Sequence, residues 1–152
     1  MLMLVLCAGA GVRPSEIPLL HHGHITLDDL GILISVPTDK PRQVPVLAEW
    51  EPWMKAVLKR RPTNERLWGP LTRRSTDNLT SAFTERSEGK PPRADRLRHT
   101  WFAHHLYIGT PLKELYRAAG VEKMQHVDLL LKDVPARDEA GYRRLLRSEE
   151  QA

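Results

Sequence analysis

Cysteine is almost absent from this chain of 152 residues, which contains Cys7 alone. A single thiol cannot form a disulfide within the chain, so the composition favours a reducing compartment and a cytoplasmic location. Cys7 stands in an apolar run and is most simply a small core residue.

A long hydrophobic run is also missing. The most apolar segment, residues 1–8, is far shorter than the ~20 residues that span a bilayer. No basic residue precedes it, and Arg13 and Glu16 follow it closely, which argues against a signal peptide. We therefore expect no membrane segment, but a buried helix over residues 2–8 that ends in the glycines Gly9 and Gly11.

Positive charge is scarce at the start of the chain and concentrated in its middle. Residues 1–54 have a net charge of −3, residues 55–104 of +7, and residues 105–152 of 0. Clustered positive charge is typical of a nucleic-acid binder. A solvated basic face is the equally open alternative.

The order of the predicted elements indicates an α+β domain, mainly α, with a small three-stranded antiparallel sheet near the N-terminus. Turn residues at 28–31 and 37–41 separate three strands, at 24–27, 31–36 and 42–46. Pro45 places the third strand at an edge of the sheet. Helical patterns are expected at 14–20, 47–60, 75–86, 94–108, 112–119 and 122–131. We expect Leu67 and Trp68 to attach the loop 61–71 to the core, residues 1–135 to form one domain, and residues 136–152 to form a charged helical tail.

Three closely spaced histidines, His21, His22 and His24, raise the question of a metal site. No cysteine or acidic residue stands nearby at a useful spacing, and metal sites need a fixed set of ligands. We therefore expect a loop with exposed imidazoles, no metal and no cofactor.

The predicted helix at 94–108 carries the strongest functional signal. Arg96 and Arg98 lie at its start, where backbone N–H groups point outward, and such a place suits a phosphate. Apolar residues recur on one face of this helix. They are Leu97, Trp101, Phe102, Leu106 and Ile108.

Two arginine motifs resemble those of the tyrosine recombinase, or phage integrase, family. Residues 11–17, Gly-Val-Arg-Pro-Ser-Glu-Ile, are similar to the family signature around its first catalytic arginine, here Arg13. Residues 97–106, Leu-Arg-His-Thr-Trp-Phe-Ala-His-His-Leu, are similar to the signature around the second, here Arg98, followed by His99. The resemblance covers about residues 1–131 and implies that family's catalytic-domain fold, in a bacterial, phage or mobile-element context.

The family's chemistry is DNA recombination and DNA integration through a covalent phosphotyrosine. Two arginines hold the scissile phosphate while its charge grows, a tyrosine attacks it, and lysine and histidine side chains move protons. The resemblance implies that Arg13 and Arg98 hold the phosphate and that His99 has a catalytic role. Lys40 is the candidate for the lysine, because it is the only lysine of the turn 37–41.

Several positions depart from the family pattern. The histidine expected three residues before the second arginine is Asp95, whose carboxylate would repel a phosphodiester unless Arg93 or Arg96 pairs with it. The later histidine or tryptophan corresponds to Val121, and the nucleophilic tyrosine to Leu130.

No tyrosine stands between Tyr116, which we expect in the core, and Tyr142, which comes about a dozen residues too late. Because the resemblance begins at the first residue, we also expect the family's N-terminal core-binding domain to be absent.

The sequence thus predicts a degenerate, truncated recombinase-like domain that binds double-stranded DNA and is inactive in cleavage by itself. Candidate DNA contacts are Arg13, Lys40, Lys55, Lys59, Arg60, Arg73, Arg74, Arg93, Arg96 and Arg98. An active recombinase using Tyr142 and His126 is one alternative. A regulatory protein that docks residues 136–152 on a full-length recombinase or on itself is another, and a gene fragment without function is the last.

Overall fold

The computed structural model describes residues 1–61, 63, 66–69, 88–89, 93–123 and 127–148. The predicted helix at 75–86 and the residues Arg73, Arg74 and His126 lie outside this set.

The first helix, α1 (Leu2–Ala10), is the centre of the core. It has no polar face, and every residue except Leu4 is buried, because a helix that is apolar on all sides must be surrounded by other elements. Burial also raises the pKa of the Cys7 thiol to about 12, as befits a core residue. The predicted last residue of the helix, Ala8, was wrong by two residues, because the helix continues to Ala10. Gly9 lies inside the helix, where an added Cβ would come within 2.8 Å of Cγ of Trp50, and Gly11 caps the helix end as predicted.

The three strands form an antiparallel sheet in the order β1-β2-β3, as predicted. They are β1 (Ile25–Asp28), β2 (Gly31–Val36) and β3 (Arg42–Pro45). Ile34 pairs with Val44 and Val36 with Arg42, so that these side chains point inward from alternating positions. Pro45 therefore lies in an edge strand, as its missing N–H requires.

Short 3-10 helices connect the core elements. Pro14–Leu19 follows Arg13, and Ala48–Trp50 leads into α2 (Glu51–Lys59). The helices predicted at 14–20 and 47–60 are therefore present, the first wholly and the second in part as 3-10 turns. Leu67 is fully buried, and its N–H donates to the carbonyl of Leu20 at 2.9 Å, which attaches the loop as expected.

Helix α3 (Ala94–Ile108) packs across α1. Leu97, Trp101 and Phe102 are buried on its predicted apolar face, but Ile108 is 45% exposed, contrary to expectation. The next helix, α4 (Leu112–Ala119), buries Leu115 and Ala119, whereas Leu112, also expected on the apolar face, is exposed. Both errors have one cause, since Ile108 and Leu112 flank the exposed turn at Gly109.

The C-terminal helices differ in burial. The helix predicted at 122–131 is found over Val127–Leu131 (α5), which packs on α3 with Leu130 buried. The tail contains α6 (Glu139–Leu146), whose N-terminus is capped by Asp138 and which buries no side chain. In the part of the chain that the structure describes, no helix has the length and apolar character to cross a membrane.

Gly11 and Gly109 allow a matched test of this packing. Both follow a helix in the left-handed conformation, with φ of 61° and 83°. A Cβ on Gly11 would come within 2.4 Å of the Trp101 ring, whereas a Cβ on Gly109 would meet nothing within 4 Å. We expect Gly109→Ala to lower the free energy of unfolding by about 1 kcal/mol, for backbone strain alone. Gly11→Ala should cost about 3 kcal/mol, because the ring must also move. Equal losses in urea denaturation would contradict this account.

Candidate functional site

Arg13 lies directly before the 3-10 helix Pro14–Leu19 and is anchored by Glu16. Its backbone N–H donates to Oε2 of Glu16 at 2.8 Å, and its Nη1 donates to Oε1 at 2.9 Å. Its Nη2 reaches the carbonyl of Gly120 at 3.1 Å. The side chain is 37% exposed, so part of the guanidinium faces solvent.

Arg98 reaches the same place from helix α3. Its side chain is buried, and its Nη2 donates to the carbonyl of Ala119 at 2.6 Å. Its Cζ lies 5.2 Å from the ring centre of Phe102. The Nη1 group is buried and has no hydrogen-bond partner among the described residues. Since Arg13 and Arg98 bind adjacent carbonyls, the structure brings the two guanidinium groups together. We call them the arginine pair.

Arg42 and Glu16 complete the cluster, and neither was assigned a role from the sequence. Arg42 is buried and donates from Nη1 and Nη2 to the two Glu16 oxygens, both at 2.7 Å. A sequence signal existed, because Arg42 shares the inward face of β3 with the buried Val44. A charged residue on a buried strand face needs a buried partner of opposite charge.

Burial and neighbouring charges shift the pKa values of Glu16 and Arg98 in this cluster. Burial alone would raise the pKa of Glu16, but hydrogen bonds from Arg42 and the Arg13 backbone, with both arginine charges, hold it below its ordinary value. Burial lowers the pKa of Arg98 to about 10, helped by the nearby charge of Arg13. Arg98 therefore remains cationic at neutral pH.

The other residues carried over from the resemblance lie in more exposed places. His99 is exposed on α3, next to Arg98. Lys40 is exposed and forms an ion pair with Glu122 at 2.7 Å, and this hydrogen bond raises the pKa of Lys40. Asp95 accepts two hydrogen bonds from Arg93, each of 3.2 Å. That pairing meets the condition under which its carboxylate would be compatible with a nearby phosphate.

The remaining described basic candidates, Lys55, Lys59, Arg60 and Arg96, are all exposed. Lys55 lies 3.8 Å from Glu51, and such a surface ion pair contributes little to stability. Their exposure is compatible both with contacts to an anionic partner and with a solvated basic face.

The positions expected for a nucleophile differ in their surroundings. Leu130 is buried on α5, and Val121 is half-buried. Tyr142 is 59% exposed on α6, and within the described ranges no hydrogen bond joins it to the arginine pair. The sequence suggested that Tyr116 lies in the core. In the structure Tyr116 is only half-buried, and it lines a cavity.

This cavity, of about 630 Å³, lies between the sheet and the end of α4. Arg42 and Gly120 belong to both the cavity wall and the arginine cluster, and Lys40 and Glu122 stand at its edge. The candidate lysine and Arg42 therefore border a common space, whereas Arg13 and Arg98 are not among the residues that line it.

The histidine cluster has a structural explanation. His22–His24 is a short 3-10 helix, and Nδ1 of His24 accepts a hydrogen bond from the His21 N–H at 3.1 Å. His21, His22 and His24 are half-buried, not fully exposed as expected. No group of three or more His, Cys, Asp or Glu residues that could hold a metal ion occurs in the described ranges.

Solved structures that share this fold include recombinases and integrases. Over 97% of the chain, the structure superposes on XerA recombinase with a TM-score of 0.63 and 18% identity. It superposes on the integrase of transposon Tn1549, in complex with circular intermediate DNA, with a TM-score of 0.55 and 17% identity over 97% of the chain. The XerH site-specific recombinase, bound to its palindromic difH substrate, gives a TM-score of 0.55 and 22% identity over 97% of the chain.

These similarities show that the chain has the fold of a tyrosine recombinase catalytic domain. The chain covers only 55%, 58% and 43%, respectively, of these three structures. A scan against models of protein families finds no match, and a search of curated proteins finds no similar sequence.

Glu16 predicts a pH dependence of stability. A depressed folded-state pKa contributes stability that is fully present well above the ordinary value of 4.5 and is lost as pH falls through the lowered pKa. Glu16→Gln should therefore lower the free energy of unfolding at pH 7 by about 3 kcal/mol, since it leaves the buried Arg42 without its counter-charge. The difference from the unmodified protein should shrink below pH 4.5. Glu114→Gln, at an exposed ion pair with Arg117, is the control. A difference that stays constant down to pH 3 in chemical denaturation would rule this out.

Proposed function

We propose that this chain, whose fold is that of a tyrosine recombinase catalytic domain, binds double-stranded DNA through its arginine pair but does not cleave DNA by itself. The observation that carries the proposal is the buried Nη1 of Arg98, which has no partner among the described residues while Nη2 is anchored. A buried charged donor without an acceptor is costly, and a phosphate oxygen would satisfy it.

The position of Arg13 supports a shared ligand. Its Nη2 donates to Gly120, next to the Ala119 carbonyl that Arg98 uses, and its guanidinium is partly open to solvent. Two guanidinium groups held side by side match the oxygens of a phosphate better than two flexible ammonium groups would. Arginines fixed before the ligand arrives also lose little freedom when it binds.

The fold neighbours indicate the class of ligand. One of them is a transposon integrase in complex with DNA, and another is a site-specific recombinase bound to its substrate. By analogy of fold, and because Arg13 and Arg98 lie in motifs that resemble those of the family, the phosphate would belong to a DNA backbone, and the biological context would be DNA recombination or integration.

The absence of cleavage is proposed from two positions. Leu130, which corresponds to the family's nucleophile, is a buried apolar side chain and cannot attack phosphorus. Tyr142 is exposed on a helix that buries no side chain. His99 and Lys40 would then contact the DNA backbone without a nucleophile to serve.

A regulatory role for residues 136–152 stays a prediction. Tyr142, Leu145 and Leu146 are exposed on α6, and a helix that buries none of its apolar residues in its own chain can pack on another. Co-purification with a full-length recombinase at high salt, lost on deletion of this segment, would support docking. The cytoplasmic location expected from the single cysteine also stays a prediction.

Salt-dependent DNA binding is the main test. The affinity for a duplex of arbitrary sequence should fall steeply as salt rises, because phosphate contacts release counterions. Arg13→Ala should weaken binding about tenfold and reduce the slope of log K against log [salt] by about one. Arg143→Ala, at an exposed ion pair on α6, is the matched control and should bind like the unmodified protein. Salt-independent binding, or equal behaviour of the two variants in fluorescence anisotropy, would refute the proposal.

Covalent capture separates binding from cleavage. A nicked suicide substrate should give no protein–DNA adduct in denaturing electrophoresis, because the buried Leu130 stands at the position that corresponds to the family's nucleophilic tyrosine. An adduct that disappears in Tyr142→Phe would instead establish an active recombinase with a displaced nucleophile. The competence of the substrate is checked with an active recombinase in the same assay.

A further inference from the structure

The Glu16 carboxylate is shared by two arginines with different exposures. It accepts four hydrogen bonds, two from Arg13 and two from Arg42, at 2.7 to 2.9 Å. Arg13 is partly exposed, whereas the Arg42 side chain is only 5% exposed. Arg42 therefore has little surface with which to touch a large ligand directly.

Arg42 also holds the end of helix α4. Its Nε donates to the carbonyl of Ala118 at 2.9 Å, next to the carbonyls of Ala119 and Gly120 that receive the arginine pair. Three consecutive carbonyls at the C-terminus of α4 thus accept from three arginines, each of which comes from a different part of the chain. Cations suit this end of a helix, where the backbone dipole is negative.

Gly120 shows how closely Arg42 packs here. A Cβ at this position would lie 2.9 Å from Cδ and 3.0 Å from Nε of Arg42, and Gly120 itself has a φ of 68°. The backbone can pass this guanidinium only without a side chain. The position of the Gly120 carbonyl, and so of the Arg13 side chain bound to it, depends on Arg42.

We propose that Arg42 is a positioning residue that keeps Arg13 available for the phosphate by sharing the Glu16 carboxylate and fixing the end of α4. This inference rests on the proposed function. With Arg42 present, the cluster has three guanidinium groups and one carboxylate, so a net positive charge remains for the ligand. Without Arg42, the Glu16 carboxylate pairs with Arg13 alone and cancels its charge.

This role differs from that of a residue that only stabilises the fold. A stabilising residue would lower the stability of the protein but leave the number of phosphate contacts unchanged in the molecules that remain folded. A positioning residue changes that number, and its loss is repaired when the competing carboxylate is removed. The salt dependence of binding and a double variant therefore distinguish the two roles.

The experiment measures binding to a labelled duplex by anisotropy at several salt concentrations, with folding checked by circular dichroism. Arg42→Met should bind at least tenfold more weakly than the unmodified protein, with a slope of log K against log [salt] smaller by about one. Adding Glu16→Gln to Arg42→Met should restore the affinity to within about threefold of the unmodified protein, because Arg13 is no longer neutralised. Unchanged affinity and slope in Arg42→Met, or no recovery in the double variant, overturns the inference.

Arg42→Lys provides a second comparison if Arg42→Met does not fold. A lysine keeps the charge but cannot bind both Glu16 oxygens and the Ala118 carbonyl at once. We expect Arg42→Lys to bind the duplex at least threefold more weakly than the unmodified protein, and we expect the added Glu16→Gln to recover this loss. Equal affinity of Arg42→Lys and the unmodified protein overturns the inference. Arg143→Met controls for the loss of an arginine. If the unmodified protein does not bind DNA, the proposed function fails. If the unmodified protein binds DNA and the Arg42 variants bind it equally well, only this inference is refuted.

Discussion

The buried carboxylate of Glu16 is the interaction on which the rest of the site depends. Glu16, Arg42 and Arg98 are the buried charged residues of the described chain, and Glu16 alone is negative. Breaking such a pair costs about 3–5 kcal/mol, because it leaves an uncompensated charge in the interior. The pairing of Glu16 with Arg42 therefore holds the segment after α1 against strand β3. Arg13 and Arg42, which Glu16 orients, in turn donate hydrogen bonds to carbonyls at the end of α4. The core elements are thereby tied together at the site.

The same arrangement orders the arginines before any ligand binds. Carbonyls at the end of α4 accept hydrogen bonds from Nη2 of Arg98 and from Nη2 of Arg13. The buried Nη1 of Arg98 has no hydrogen-bond partner among the described residues. Donors fixed in advance stabilise an anion without reorganisation. Binding and bond cleavage are nevertheless separable, because the first needs only this geometry and the second also needs a nucleophile. In this chain the arginines are present, and a buried leucine stands where the resemblance places the tyrosine.

Much of the fold could be predicted from local patterns. Alternation and turn residues located the three strands to within one residue at each end, and Pro45 identified the edge strand, because these signals act over a few neighbouring residues. The errors came where burial depends on distant elements. Ile108 and Leu112 follow a helical apolar pattern but flank an exposed turn, and Tyr116 lines a cavity that its own helix cannot reveal.

By itself, the sequence determined the mainly helical α+β class, the small sheet and the two arginine motifs, since each is encoded in a short stretch of chain. Only the tertiary structure decided that Arg13 and Arg98 meet at adjacent carbonyls, because 85 residues separate them and their common partner is the end of a third element. The tertiary structure also decided the role of Arg42, because in the sequence Arg42 is only a charged residue in a predicted strand. Its significance depends on a carboxylate 26 residues earlier and a carbonyl 76 residues later. Electrostatic pairing in a core depends on distance in space, which local sequence patterns do not encode.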